Sequence, residues 1–251
     1  MIVLELVIVL FIGLALGSFT TALVHRVPRS IPWWSSQRSE CPSCHHTLSV
    51  PDLVPVFSWL FSRGKCRYCG QGISRRYPVV ELCTAMACFM AYAVYGLTVP
   101  AFFIMAAVPF LMALLVIDLD HLILPDQLVL ILAVLGLARL VFIVLTGEWM
   151  LASPFVLGML VYAAVAWVLG YTMTKILQKD ALGFGDVKFF AVAGLWLGMG
   201  AFSWFLLLSG VFGVVLGLVW RKIRGEGAFP FGPALIAAFY VLLLFGGSLF
   251  A

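Results

Sequence analysis

Charge is scarce in this chain. Of 251 residues only 15 are Lys or Arg and 11 are Asp or Glu, 10% in all, against 64% apolar. A soluble domain is roughly half apolar and about a quarter charged. That class is excluded, and a mean hydropathy of +1.13 points to an all-α polytopic membrane protein. Basic residues are also missing from the start, where none precedes Arg26. A cleavable signal needs a basic n-region, a shorter apolar core and a small-residue cleavage site, so residues 2–24 are expected to remain as a first span. Internal repeats, heptads and low-complexity tracts are absent, which removes repeat and coiled-coil architectures. The net charge is only +4, and no nucleic-acid partner is expected.

What is present in quantity is apolar runs. A bilayer core of roughly 30 Å needs about 20 apolar residues per helix. Stretches 2–24, 78–95, 97–117, 127–146, 150–171 and 232–250 qualify. The run 187–220 is too long for one helix and yields two short ones if it turns at Gly198-Met199-Gly200. The basic residues decide. Arg26, Arg29, Arg38, Arg63, Lys65, Arg67, Arg75 and Arg76 lie in 25–77, Lys175, Lys179 and Lys188 flank Asp186, and Arg221, Lys222 and Arg224 follow Trp220. Only Arg139 falls inside a span. About eight spans put every cluster on one side, as the positive-inside rule requires, whereas seven would export Arg221–Arg224. Both termini are then outside, and the chain divides into a first helix (1–24), a cytoplasmic module (25–77) and a membrane domain (78–251).

The module carries Cys41-Pro42-Ser43-Cys44 and Cys66-Arg67-Tyr68-Cys69. Two such knuckles supply four thiolates, enough for a tetrahedral zinc shell. Basic neighbours Arg63, Lys65 and Arg67 favour the thiolate form. Disulfides are disfavoured in a reducing compartment, and a redox role lacks the surrounding strand pattern of a thioredoxin fold. His45 and His46 are alternative ligands or surface residues. Cys83 and Cys88 read as packing residues inside the second span.

Acids are the other signal, because carboxylates beside a membrane core are costly and are kept there mostly for function. Asp118 ends the third span and Asp186, in Gly183-Phe184-Gly185-Asp186, opens the sixth, so the topology puts both on the cytoplasmic face. Two close carboxylates cannot both ionise easily. The ionised one takes a proton from water and the neutral one donates to a scissile carbonyl. A purely structural reading makes both aspartates interfacial or capping groups. Asp126, after Pro125, fits that reading as a helix cap. Asp120 is a neighbour without an assigned role, and Lys188 reads as a headgroup anchor.

With these residues in place the chain resembles the type IV prepilin peptidases, bifunctional aspartyl peptidases and N-methyltransferases of the bacterial inner membrane. The resemblance spans Gly17-Ser18-Phe19, Arg26-Val27-Pro28, both knuckles, Ser58-Trp59-Leu60, Arg63-Gly64-Lys65-Cys66, Arg76-Tyr77-Pro78-Val79-Val80-Glu81-Leu82, Asp118-Leu119-Asp120 with Leu124-Pro125-Asp126, and Gly183-Phe184-Gly185-Asp186. It implies that Asp118 and Asp186 cleave the short basic leader from prepilins or pseudopilins. S-adenosylmethionine would then methylate the new N-terminus, usually a phenylalanine. No motif for that donor is recognisable, and Gly64 and Glu81 are candidates for that half. Thr20-Thr21-Ala22 and Thr47-Leu48-Ser49-Val50-Pro51 depart from the family pattern, both in the half associated with methyl transfer. Two other classes compete: a carboxylate-coupled transporter, with ionisable groups near mid-membrane, and a non-catalytic pilus or secretion assembly factor.

Overall fold

In a computed structural model, which describes residues 2–35, 38–147, 152–178, 182–225 and 229–249, the chain is helical, with two isolated β-bridges and no strand among those residues. Eight long helices appear: α1 (Ile2–Arg26), α3 (Arg76–Tyr95), α4 (Val99–His121), α5 (Asp126–Leu145), α6 (Ala152–Leu177), α7 (Phe184–Leu197), α8 (Phe202–Arg224) and α9 (Gly232–Leu249), with a short α2 (Phe57–Phe61) in the module. Six are long and apolar enough to cross a membrane, namely all but α7 and α9. Lys179, positions 148–151 around the expected turn before α6, and position 250 lie outside the described residues.

The helices match the expected spans, with two informative shifts. The third runs on to His121, so Asp118 sits one turn inside the end of α4. The sixth begins at Phe184, so Asp186 lies in the first turn of α7, where its carboxylate accepts the Gly183 N–H at 3.2 Å. That bond satisfies one of the orphan donors every helix N-terminus carries. The break between α7 and α8 falls at Gly198, whose φ of +73° costs little without a Cβ.

Two compact units divide within α4, Met1–Ala113 and Leu114–Ala251. In the first, α1 packs along α3 at backbone contact. A Cβ on Gly13 would sit 2.8 Å from the Ala85 Cα, and one on Gly17 2.6 Å from the Glu81 Cα. This is the small-xxx-small device of helices in lipid, where association comes from close packing instead of water expulsion. Tyr92 donates to Glu5 at 2.9 Å and Thr20 to the Leu16 carbonyl at 2.8 Å, so neither polar span residue is left bare.

In the second unit α7 is the enclosed element. Phe189, Phe190, Val192, Ala193, Leu195 and Trp196 are buried, and Gly194 meets Gly158 of α6 backbone to backbone. Its 14 residues span about 21 Å, short of the roughly 30 Å bilayer core. Its far carbonyls therefore need partners. Arg139 of α5 donates to the Trp196 carbonyl at 2.9 Å and Tyr162 of α6 to the Gly198 carbonyl at 3.1 Å. The guanidinium also lies over the rings of Phe155, 5.0 Å away, and Trp196, 5.8 Å away. Arg139, near the middle of α5, thus caps the far end of α7.

Candidate active site and metal centre

Asp118 is 4% exposed, and its Oδ2 accepts the N–H of Gly232, the first residue of α9, at 2.8 Å. Any side chain at 232 would collide with that carboxylate, since a Cβ there would lie 2.7 Å from Oδ2. Asp186 is half-buried in the first turn of α7. Leu124 joins the two sides: its Cβ would be 3.1 Å from a Cβ on Gly185, and its Cδ2 3.0 Å from one on Gly232. The glycines next to and opposite the acids thus let three segments, 118–124, 183–186 and 229–232, converge.

Asp126 and Lys188 behave differently from their expected roles. Pro125 is the N-cap of α5 and makes no side-chain capping bond, while Asp126 takes the first helical position and pairs with Lys188 at 2.7 Å. Lys188 also lies 4.7 Å from the Phe184 ring centroid. It ties the first turn of α7 to α5, and that link displaces the headgroup-anchor reading. Asp120 is exposed on the last turn of α4.

The cysteines form one cluster. The four Sγ atoms of Cys41, Cys44, Cys66 and Cys69 lie within 4.8 Å of one another, with Cys41 and Cys69 at 3.9 Å. Thiolates about 2.3 Å from a central zinc sit close to that separation along a tetrahedral edge, so the donor set fits the ion. The two knuckles, paired in sequence by their cysteine spacing, also repeat one backbone geometry. Cys41 N–H bonds the His46 carbonyl and His45 N–H the Cys41 carbonyl, as Cys66 and Gly70 do with Gln71 and Cys66. His45 and Gly70 both take positive φ, 56° and 72°. His45 therefore serves the turn and faces Glu40 at the surface, while His46 stacks on Tyr68 with ring centroids 3.7 Å apart. Backbone hydrogen bonds from Cys44 and Ser43 push the Cys41 thiol down, while its neighbour thiols push Cys69 up, so the cluster titrates as one coupled group. Gly64, with φ of +68°, has the Trp59 ring 2.8 Å from where a Cβ would stand. Its glycine is a packing requirement of the module.

Residues 11–95 match the bacterial peptidase A24 N-terminal domain and 105–218 match the type IV leader peptidase family. The type 4 prepilin-like proteins leader peptide-processing enzyme of Escherichia coli O78:H11 is 34% identical over 200 residues, covering 69% of this chain and 70% of that protein. The chain belongs to the type IV leader peptidase family. A prepilin leader peptidase/N-methyltransferase of Pectobacterium carotovorum is 32% identical over 198 residues, 70% of this chain and 68% of its own length. One from Myxococcus xanthus is 38% identical over 187 residues, 70% and 51%. No solved structure matches the chain. Within this leader-peptidase framework, Gly232 escaped the sequence reading, and Leu124 and Arg139 were named there without the roles the contacts give them. The dense turn Phe229-Pro230-Phe231-Gly232-Pro233 ahead of the last apolar run was the available signal for Gly232.

Proposed function

We propose that this enzyme is a membrane aspartyl endopeptidase that removes the short basic leader of type IV prepilins or pseudopilins at the cytoplasmic membrane face, and then N-methylates the new terminus with S-adenosylmethionine. The observation that carries the peptidase half is the buried Asp118 carboxylate, held by the Gly232 N–H where Leu124 brings the Gly183–Asp186 turn alongside. The ionised member of the pair takes a proton from water, whose oxygen attacks the scissile carbonyl carbon. The protonated member donates to the carbonyl oxygen. When the tetrahedral intermediate collapses, the C–N bond breaks and its electron pair, with a proton, leaves on the amine. Positive-inside placement of the basic clusters supports cytoplasmic sidedness for the dyad and the module. The acids Asp118, Asp120 and Asp126 would draw the basic leader toward this end of the helices by charge. The four cysteines would hold a structural zinc ion that staples the module. S-adenosylmethionine supplies an electrophilic methyl group when bound.

Asp118→Asn or Asp186→Asn should lower leader removal by about 10³-fold with melting temperature unchanged, measured by product mass from a model prepilin in detergent. Full cleavage by either variant rules out the dyad. A wild-type protein that gives no leader-sized mass loss points instead to the transporter or assembly-factor readings, which Arg139, occupied as a cap, does not favour.

A further inference from the structure

Glu81 is a buried acid that the peptidase chemistry leaves unused. It is 8% exposed on α3, and Oε2 accepts the Val56 N–H at 2.7 Å. Its other oxygen has no hydrogen-bond partner among the described residues. Val56 is itself unusual, with φ of 62° and ψ of −51°, and the Phe57 N–H reaches back to the Pro55 carbonyl at 2.6 Å. That is a γ-turn of the rare, strained hand, centred on a β-branched residue. Such a conformation persists only where its surroundings over-determine it, and it gathers at functional sites.

Two things hold it. Glu81 grips it from α3. On the other side, Asp52 caps the turn Val50–Leu53 that leads into it, accepting from Ser49 and from Tyr68 at 3.1 Å and pairing with Arg67 at 3.3 Å. Arg67 and Tyr68 lie between Cys66 and Cys69, so the metal knuckle and the Glu81 carboxylate grip opposite ends of one strap. Beside the strap is a cavity of about 230 Å³ lined by Leu14, Ala15 and Ser18 of α1 and by Val54, Pro55 and Phe57. Next to Ser18, Gly17 packs directly on the Glu81 backbone, so Glu81 reaches the cavity edge through the strap residue Val56.

We infer that Glu81 is the acceptor-side catalytic group of the methyl transfer: it binds the newly exposed N-terminal ammonium and deprotonates it, while the cavity receives the first, large apolar side chain. This rests on the methyltransferase half of the proposed function. An ammonium has no lone pair, so one proton passes to the free Glu81 oxygen. The amine nitrogen then attacks the methyl carbon of the sulfonium donor. A C–N bond forms, the S–CH3 bond breaks, and its electron pair stays on sulfur, which becomes a neutral thioether. The product leaves as a secondary ammonium, and Glu81 returns its proton to water.

The test uses the purified full-length protein and a pre-cleaved product peptide, so that leader removal does not enter. Glu81→Gln keeps an oxygen for the Val56 N–H. It should lower methyl incorporation from S-adenosylmethionine by about 10²-fold or more, with zinc content and melting temperature unchanged, and Glu81→Asp should recover part of it. Independently of turnover, wild type should bind the free-amine peptide more tightly than its N-acetylated form, and Glu81→Gln should lose that preference. Ala15→Phe, which fills the cavity and leaves Glu81 in place, should also lose methyl transfer. Wild-type methylation by Glu81→Gln, or an amine preference that survives the substitution, overturns the inference. If wild type cleaves prepilin but transfers no methyl group, the methyltransferase reading fails, and the amine-preference measurement then decides Glu81 by itself.

Discussion

At the scale of single residues, the acids were legible and their holders were not. Asp118 and Asp186 announced themselves because a carboxylate in an apolar chain needs a reason. Gly232 lies 114 residues from Asp118 and contributes a backbone N–H, which carries no residue-type signature. Its smallness is nonetheless a testable requirement. Gly232→Ala should push the Asp118 carboxylate aside and lower cleavage by about 10²-fold, the usual result of misplacing a reacting group by about an ångström. Gly210→Ala, where a Cβ meets nothing within 4 Å, should leave cleavage near the wild-type rate under the same assay. Asp126 shows the opposite failure of sequence reading. A Pro-Asp pair at a helix start suggests a cap locally, but the cation that claims this carboxylate is Lys188, on another helix.

At the scale of elements, the break between α7 and α8 followed from length and charge, since a 34-residue helix outruns the bilayer and a single crossing would export Arg221–Arg224. What closes the deep end of α7 depended on tertiary contact. Arg139→Leu should leave the Trp196 carbonyl without its donor in an apolar setting and cost about 1–3 kcal/mol, visible as a lower melting temperature in detergent, with Tyr162→Phe acting in the same direction. In the module, the Ser49 hydroxyl, followed by its N–H, Tyr68 and Arg67, holds the Asp52 carboxyl below its ordinary range. A depressed carboxyl contributes its stabilisation above the unfolded value near 4 and loses it as pH falls through the folded value. Asp52→Asn should therefore raise hydrogen exchange over residues 50–57 at pH 7 by a few-fold to about tenfold. The two proteins should converge in acid.

At the scale of the whole molecule, the apolar runs and their breaks anticipated eight long helices, while the side each basic cluster faces belongs to the proposal, because basic residues near span ends bias insertion irrespective of packing. The knuckles were paired by their cysteine spacing, but their common turn was not legible, since His45 and Gly70 reach the same left-handed backbone by different residue types. Sidedness can be checked directly. Cysteines placed at Thr98 and Thr146, both exposed between spans, should react with a membrane-impermeant maleimide on intact cells, and one at Ile223 only after lysis. Reaction of all three from outside would overturn the arrangement. The enclosure of α7 bears on one more matter. A short helix facing lipid would suffer hydrophobic mismatch and would tilt or shift as acyl chains lengthen. Here no residue from Val187 to Leu197 is exposed, so protein, not lipid, surrounds the helix that carries Asp186. The depth of that acid is then set by packing within the protein, and leader removal should change little between vesicles of short- and long-chain lipid.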